Sequence, residues 1–369
     1  MGRDRWLALL HAARGAAWRR AIRDAGSPEA FLDASDARLA AAGIDEAGIQ
    51  RLRRPDPAAL DAMRRWLDAP GRALVVHGSP EYPRRLAEID EPPLALWVDG
   101  ARADVLHAPQ IAIVGSRNAT RSGRETALRF AEYLSRAGLT ITSGLAVGID
   151  AASHEGALAG ASGTIGVLAC GLDVVYPRHH AGLADRVRAD GVLVSEYPPG
   201  VPPLAHQFPE RNRIIAGLAV GTLVVEAGRR SGALITARRA TEYGREVFAI
   251  PGSIHNPVAR GCHWLIRQGA KLVEEGADVL VELAPQLDFD PKPPQQAHEP
   301  AGASSLLDDA AYRKLLNNLE FEPVPFTEIA SRCGLTTAEL SSMLLMLELD
   351  GLVEALPGGR YCRVQTRSR

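Results

Sequence analysis

Six short apolar runs alternate with helical stretches and glycine-rich turns between residues 110 and 283. Strands of a parallel sheet are buried on both faces, so they read as continuous apolar runs rather than as alternating apolar and polar residues. The lengths of the runs and the glycines beside them favour strands over buried helices. The pattern predicts an α/β fold with a parallel sheet, with strands at Ile111–Val114, Leu139–Thr142, Thr164–Ala169, Val192–Ser195, Thr222–Glu226 and Val247–Ile250.

The segment before this core predicts a separate helical domain. Residues 1–70 read as short helices, and Leu39–Ile44 resembles one turn of a SAM-like bundle. Such bundles either contact a DNA backbone or serve only for packing. Residues 71–285 are assigned to the α/β domain, with its core at 110–283 and two earlier strand-like runs at Ala73–His77 and Leu94–Val98.

The segment after the core predicts a linker and a third domain. Residues 286–304 are rich in Pro and Gln, which is typical of a linker. Residues 305–369 hold a helix starting at Phe326, a second helix over Thr337–Asp350, and a hairpin that turns at Gly358-Gly359. A helix–turn–helix followed by a hairpin predicts a winged-helix domain.

Charge and cysteine content limit the classes of partner and compartment. The 369 residues carry 42 Lys and Arg against 44 Asp and Glu, so any anion site must be local. Residues 205–245, however, contain seven arginines and only three glutamates, so positive charge is concentrated there.

The four cysteines lie far apart without a CxxC, which predicts no structural metal and no disulfide, and indicates a reduced, cytoplasmic protein. No run of about 18 apolar residues occurs, so we expect no membrane insertion.

The first turn of the predicted sheet offers an anion site. Gly115, Ser116 and Arg117 follow a strand and precede a helix. Glycine lets the backbone approach an anion, a helix N-terminus favours negative charge, and the hydroxyl and guanidinium suit a phosphate. The G-x-G-x-x-G spacing of dinucleotide-binding folds is absent, which argues against a nicotinamide cofactor. The turn therefore predicts a phosphate contact, unless it only caps the helix.

The second turn, Ser143–Asp150, brings Gly144 to the same edge of the sheet. Open α/β sheets bind ligands at the edge formed by the carboxyl ends of their strands. Asp150 and His154 lie four residues apart, so they share one face of the helix that follows. A catalytic pair is one interpretation, but the pattern favours a helix cap and a packed histidine.

Basic, aromatic and small polar residues gather in two later segments. Phe208 stands beside Arg211 and Asn212 at the start of a helix, and Ser231 and Gly232 end a further strand-to-helix turn. An aromatic ring beside guanidinium groups suits base stacking and phosphate binding. A core phenylalanine with surface arginines is the simpler alternative.

Motifs of hydrolytic or ATP-driven catalysis are missing from the sequence. Gly-x-Ser-x-Gly does not occur, no cysteine stands beside a plausible base, and there is no Walker A sequence. We therefore predict no catalytic residue, no metal and no cofactor.

A series of motifs in the α/β domain resembles that of the DNA processing protein A family, also called DprA or Smf. The motifs stand in the order found in that family. They are Ile111–Arg117, Ser143–His154, Gly171–Pro177, Ser195–Tyr197, Phe208–Gly217, Ser231–Ala237 and Pro251-Gly252.

The resemblance implies an extended Rossmann-like domain between a SAM-like domain and a winged-helix domain. It also implies a non-enzymatic bacterial protein that binds single-stranded DNA, protects incoming strands during natural transformation and helps to load the RecA recombinase. The candidate DNA contacts, taken from the family motifs and from the turns on the same edge, are Gly115, Ser116, Arg117, Gly144, Phe208, Arg211, Asn212, Ser231 and Gly232.

The sequence departs from the family pattern at two basic positions. Members often carry a lysine shortly before the equivalent of Phe208 and another basic residue in the second turn. Here those places hold Leu204–Gln207 and Val147. The groove then depends on other arginines for its charge.

An enzyme is the alternative function. Nucleotide or phosphoribosyl hydrolases of the lysine-decarboxylase-like class are built on a similar Rossmann variant and carry a Pro-Gly-Gly-x-Gly-Thr loop. The corresponding strand end here, Glu226–Gly232, lacks that loop. A mononucleotide hydrolysis assay separates the two functions.

The resemblance also suggests a homodimer. Trp264, Leu265, Leu272 and Val273 lie in one short apolar segment near the end of the α/β domain. This segment either pairs two copies of the chain or closes the edge of the sheet.

The second helix of the winged-helix domain carries the wrong charge for a major groove. Thr337–Asp350 contains Glu339, Glu348 and Asp350 but no Lys or Arg. A recognition helix normally brings positive charge to the phosphates. We therefore predict that this domain contacts a protein or has a regulatory role, and that it binds duplex DNA only non-specifically.

Overall fold

The computed structural model describes residues 2–13, 15–287, 309–319, 322–350 and 352–364. Contacts between residues divide the chain into two units, Met1–Pro294 and Gln295–Arg369, each with its own hydrophobic core. The linker predicted at 286–304 lies outside the described residues from 288 onward. The domain boundaries after residues 70, 285 and 304 remain predictions.

Short helices occupy the first part of the chain, as the sequence predicts. Trp18 and Phe31 lie with ring centroids 5.7 Å apart, in one apolar cluster with Trp97 and Leu193 of the sheet. The helices therefore pack on one face of the sheet. Side-chain caps begin four of them, at Ser27, Ser35, Asp45 and Asp56. The helices are α1 Arg3–Ala12, α2 Gly15–Asp24, α3 Pro28–Leu32, α4 Asp36–Ala41, α5 Glu46–Arg53 and α6 Pro57–Leu67.

Nine strands of the described chain form one sheet, in the order β1-β2-β6-β5-β4-β3-β7-β8-β9. The first two strands run antiparallel to their neighbours, and β3 to β9 are parallel to one another. The strands are β1 Arg72–Val76, β2 Ala95–Asp99, β3 Gln110–Val114, β4 Thr140–Ser143, β5 Thr164–Leu168, β6 Val192–Ser195, β7 Gly221–Val224, β8 Glu246–Ala249 and β9 Lys271–Leu272.

All six predicted core strands and both earlier strand-like runs are confirmed. Strands β2 to β7 are buried along their whole length, which explains their continuous apolar sequence. The sequence missed β9, because two residues carry no periodic pattern.

Helices cover both faces of the parallel part of the sheet. Three separate apolar clusters lie between these helices, the N-terminal helices and the strands. The helices are α7 Arg84–Ala87, α8 Arg121–Arg136, α9 Ile149–Leu158, α10 Ala181–Asp190, α11 Gln207–Leu218, α12 Ala233–Glu242, α13 Arg260–Arg267 and α14 Gly276–Leu283. Short 3-10 helices lie at Ala103–Leu106, Arg178–His180, Pro257–Ala259 and Ala284–Gln286.

The second unit has the predicted winged-helix order. Thr336 and Glu339 form a capping box at the start of its last helix, and Gly334 ends the preceding helix in the left-handed region, with φ 68°. A three-stranded sheet, in the order β10-β12-β11, completes the unit. The elements are α15 Ala310–Asn318, β10 Val324–Pro325, α16 Phe326–Cys333, α17 Thr337–Leu349, β11 Val353–Leu356 and β12 Arg360–Arg363.

Among the described residues, no helix combines the length and the apolar character that a membrane span needs.

Candidate functional site

The strand order of the sheet reverses at β3 and β7. Strand β3 continues along the chain to β4 on one side, whereas β7 adds on the other side. Open α/β sheets bind ligands in the crevice outside the carboxyl ends of the strands at such a point. The turns that follow the two strands, at Gly115 and Glu226, form the walls of this crevice.

The two turns contact each other closely. The backbone N–H of Ser116 donates to the carbonyl of Glu226 at 2.6 Å. A Cβ at Gly115 would lie 2.5 Å from the side chain of Ile149 and 2.9 Å from the Glu226 carbonyl. Gly115 is therefore required by the packing of the turns, independently of any ligand.

A carboxylate of the protein occupies the N-terminus of α8. The backbone N–H and the hydroxyl of Thr120 donate to Glu226, at 2.9 and 2.7 Å, and the Thr120 hydroxyl accepts from the N–H of Gly123. Glu226 is buried. The positive end of the helix dipole is therefore compensated from within, rather than left for a phosphate as the sequence suggested.

Arg117 is the exposed cation of the first turn. Ser116 is 9% exposed, and its hydroxyl accepts from the N–H of Asn118 at 3.1 Å, so it holds the turn. The side chain of Arg117 points outward and places its guanidinium carbon 5.3 Å from the ring centroid of Phe208. In the described part of the chain no carboxylate lies within 4 Å of this guanidinium. Its charge is available to an anion.

Arg211 and Gly144, both predicted DNA contacts, lie in the interior instead. Arg211 is 4% exposed and donates to the carbonyls of Gly144, at 2.8 Å, and Val167. A Cβ at Gly144 would lie 2.7 Å from the guanidinium nitrogens. Burial lowers the pKa of Arg211 to about 10, against the opposing effect of Asp150, so it stays charged at neutral pH. Arg211 and Gly144 therefore hold the second turn from the protein interior and do not face solvent.

Asp150 and His154 have structural partners. Asp150 accepts from the N–H of Gly144 at 3.2 Å, and burial raises its pKa. His154 has no exposed surface, and its Nδ1 lies 2.8 Å from the hydroxyl of Thr164, which itself donates to the carbonyl of Ile141. Nδ1 therefore carries the proton. Burial lowers the pKa of His154 to about 3, so a neutral, packed histidine fits this geometry and a catalytic pair does not.

The far wall of the crevice is a tight basic turn. The N–H of Ser231 donates to the carbonyl of Gly228 at 3.0 Å, so Arg229 and Arg230 stand at the two corners of the turn, both exposed. No carboxylate lies within 4 Å of either guanidinium among the residues that the structure describes. Asn212 donates to the carbonyl of Gly232 at 3.3 Å and ties α11 to this turn.

The predicted DNA contacts do not include Arg229 and Arg230, although the sequence shows their basic charge directly before Ser231 and Gly232 in the strand-to-helix turn. The segment Leu204–Gln207, where the family often has a lysine, contains no lysine or arginine. The N–H of Leu204 donates to the side chain of Gln207, which is itself buried. The basic turn is the group that can supply the missing charge.

The predicted dimer segment divides into two halves. Trp264 and Leu272 are 43% and 50% exposed, whereas Leu265 and Val273 belong to the core. Leu265 and Val273 therefore close the sheet edge, and an interface at this place can use only the exposed pair. Trp264 also lines an open cleft of about 850 Å³ with Arg229 and Arg230.

The described residues contain neither a metal-binding cluster nor a reactive thiol. They hold no group of three His, Cys, Asp or Glu side chains that could bind a metal ion. All four cysteines are free and buried. Burial raises the pKa of Cys170 to about 11 and that of Cys262 to about 12, which keeps both thiols protonated.

Two family models match the chain. One is described as DNA recombination-mediator protein A and matches residues 73–284, and the other as DprA winged helix domain, matching residues 291–359. Protein Smf of Escherichia coli (strain K12) is 45% identical over 302 residues, which are 81% of this chain and 79% of that protein. DNA processing protein DprA of Streptococcus pneumoniae is 49% identical over 201 residues, 54% of this chain and 71% of that protein.

Two solved structures share the fold. The X-ray structure of DNA processing protein A from Streptococcus pneumoniae has a TM-score of 0.68 and 37% identity, covering 76% of this chain and 98% of that one. DNA processing protein A from Helicobacter pylori, described with its single-stranded DNA binding mode, has a TM-score of 0.51 and 26% identity. That likeness covers 56% of this chain and 94% of that one.

Proposed function

The chain belongs to the DNA recombination-mediator protein A family, and from this membership and the chemistry of the crevice we propose that it binds single-stranded DNA between the turns after β3 and β7. The observation that carries the proposal is Arg117, an exposed guanidinium without a carboxylate partner beside the ring of Phe208. A guanidinium binds phosphate, and an aromatic ring stacks any base. Binding then depends little on sequence.

The basic turn supplies further backbone contacts in this proposal. Arg229 and Arg230 are exposed in the turn after β7, whose Glu226 carbonyl accepts from the turn that carries Arg117, and a Cβ at exposed Gly232 would meet nothing within 4 Å. Ser231 and Asn212 position this wall. Gly115, Ser116, Gly144 and Arg211 take part as positioning residues that hold the turns.

We further propose that the bound strand is passed to the RecA recombinase during natural transformation, in the bacterial cytoplasm. The family description as a recombination mediator supports this role. Loading of RecA onto DNA covered by a single-strand binding protein can be followed through the ATPase activity of RecA. We expect this protein to shorten the lag, and an unchanged lag would contradict the role.

We also propose a homodimer that uses Trp264 and Leu272. These two exposed apolar side chains belong to α13 and β9, the last strand of the sheet. Light scattering at micromolar concentration tests the proposal, with Trp264→Ser as the variant expected to shift the mass to that of a monomer. A wild-type protein that stays monomeric would end it.

We also propose that the protein is not an enzyme. Neutral, buried His154 and protonated cysteines leave no activated nucleophile among the groups described above. We expect no release of base or phosphate when mononucleotides are incubated with the protein. Turnover that scales with protein concentration would favour the nucleotide hydrolase instead.

The binding proposal is tested with the full chain and fluorescently labelled oligonucleotides. We expect single-stranded DNA to bind at least ten times more tightly than duplex of equal length, because only unpaired bases can stack on Phe208. Anisotropy at several salt concentrations gives both affinities and the number of phosphate contacts. Equal affinity for the two forms would contradict the proposal.

A further inference from the structure

Tyr176 is an exposed aromatic residue next to the proposed DNA site. Its ring centroid lies 5.6 Å from that of Phe208, and the two rings are inclined by 60°. Phe208 in turn lies under the guanidinium of Arg117. Three planar side chains, from the turn after β3, the start of α11 and the loop after β5, therefore stand next to one another, in the order Arg117, Phe208, Tyr176.

The exposure of this ring is unusual within the unit. Tyr82 and Tyr197 place their hydroxyls against protein acceptors, the carbonyl of Pro93 at 2.8 Å and the carboxylate of Glu210 at 3.2 Å. Tyr176 is 49% exposed, so much of its ring faces water. An exposed aromatic face beside unpaired positive charge is a feature of surfaces that bind single-stranded nucleic acid.

The loop that carries Tyr176 is held by several internal bonds. The N–H of Val174 donates to the carbonyl of Gly171 at 3.0 Å, and Asp173 accepts from the N–H of Gly200 at 2.9 Å. On the other side of the tyrosine, Nδ1 of His180 donates to the carbonyl of Leu145 at 2.9 Å. These bonds fix the loop against the second turn, so the ring is positioned before any ligand arrives.

We propose that Tyr176 stacks a second base of the single strand, beside the base on Phe208. The proposal rests on the proposed function and extends its footprint by one nucleotide. Since the two rings are inclined by 60°, two neighbouring bases cannot lie on them and stay parallel. The strand must unstack between these nucleotides, which a duplex cannot do without losing its pairing.

Three substitutions separate stacking from packing and from charge. Tyr176→Phe keeps the ring, Tyr176→Leu keeps apolar volume against Phe208 without a planar face, and Tyr176→Ala removes both. We expect Tyr176→Ala and Tyr176→Leu to weaken single-strand binding by roughly 5- to 100-fold, and Tyr176→Phe by less than about twofold. Duplex affinity and the salt dependence of single-strand binding should not change, because no phosphate contact is lost.

Binding is measured by anisotropy with a thymidine oligonucleotide and with an abasic oligonucleotide of equal length, and melting temperatures confirm that each variant folds. On the abasic strand the variants should equal the wild type.

The outcomes separate this proposal from the function on which it rests. If the wild type fails to bind single-stranded DNA, the proposed function is wrong and this inference with it. If the wild type binds while folded Tyr176→Ala binds equally well, only the stacking role is wrong. A loss of equal size on the abasic strand would likewise assign Tyr176 to the backbone or to the support of Phe208, and overturn the proposal.

Discussion

Helix α8 of the first unit and helix α17 of the second begin in the same way. In each, the cap threonine donates its N–H and its hydroxyl to a glutamate, at 2.9 and 2.7 Å: Thr120 to Glu226, and Thr336 to Glu339. These hydrogen bonds lower the pKa of Glu339, so it is ionised at neutral pH. Both helix N-termini therefore meet a carboxyl group of the protein itself.

The two regions differ in the side chains that face solvent. Arg117 is exposed in the turn before α8, and Arg229 and Arg230 are exposed in the turn after β7. Helix α17 instead exposes Leu345 and Leu349, at 55% and 73%. In the described chain, Arg117, Arg229 and Arg230 are exposed without a carboxylate within 4 Å, whereas the exposed Arg332 before α17 forms an ion pair with Glu328. An exposed cation beside the turn, rather than the helix terminus, makes the difference.

The largest effect is expected on the free energy of unfolding, from the buried Arg211 that supports the second turn. Arg211→Ala should lower the free energy of unfolding by about 3–5 kcal/mol, because two buried carbonyls lose their donor and Asp150 loses its nearby positive charge. Arg117→Ala, the matched change at the surface, should cost less than about 0.5 kcal/mol. Denaturant unfolding followed by circular dichroism measures both, and equal losses would mean that exposure does not separate the two arginines.

The difference between the two regions in DNA binding is expected to depend mainly on Arg117. Arg117→Ala should weaken single-strand binding by roughly ten- to a hundredfold, since one charge-assisted contact contributes about 1.5–3 kcal/mol. The salt slope should fall by about 0.7, and Arg117→Lys should recover only part of the affinity. Arg65→Ala removes another exposed charge, on α6, and serves as the control. If both variants bind alike, the crevice is not the phosphate site.

The pH dependence of the unfolding free energy tests the buried, neutral state of His154 near the same sheet edge. His154 is neutral in the folded protein, with its pKa lowered to about 3, whereas it titrates near 6.5 when unfolded. As the pH falls below 6.5, the unfolded chain binds a proton that the folded chain does not. This group should then reduce stability by at most about 1.4 kcal/mol per pH unit down to pH 3. His154→Gln should flatten the pH profile of the unfolding free energy by one proton, and an unchanged profile would contradict the buried neutral state.

The smallest effect is expected on α17. Replacing Leu345 and Leu349 together by Ser keeps the helix and its acidic cap but removes the two most exposed apolar side chains of α17. We expect single-strand and duplex affinities to stay within about twofold of the wild type, because no exposed cation is lost. A tenfold loss of duplex binding in the same anisotropy assay would place α17 on DNA and remove the contrast between the two regions.

Most elements of the fold could be predicted because burial leaves a direct trace in sequence. Strands such as Ile111–Val114 are covered on both faces and therefore read as apolar runs, and Thr336 with Glu339 marks a helix start. Strands β9 and β10 have two residues each and leave no such trace.

The candidate site was only partly predictable, because its residue types were visible and their exposure was not. Arg117 and Phe208 lie next to each other, whereas Arg211, which is far from Asp150 along the chain, lies near it in space and is buried. Arg229 and Arg230 carry the same charge and stay outside. An arginine on a helix or turn has the same sequence signature in both situations.

By itself, the sequence determined the family, the parallel sheet, the winged helix and the absence of basic charge on α17, because these depend on patterns along the chain. Only the tertiary structure decided which arginines face solvent, that Glu226 reaches back to Thr120, and that Tyr176 stands beside Phe208. These three features depend on how segments from different strand ends pack against one another. The packing of the sheet sets the distances between those segments, and no local pattern along the chain encodes them.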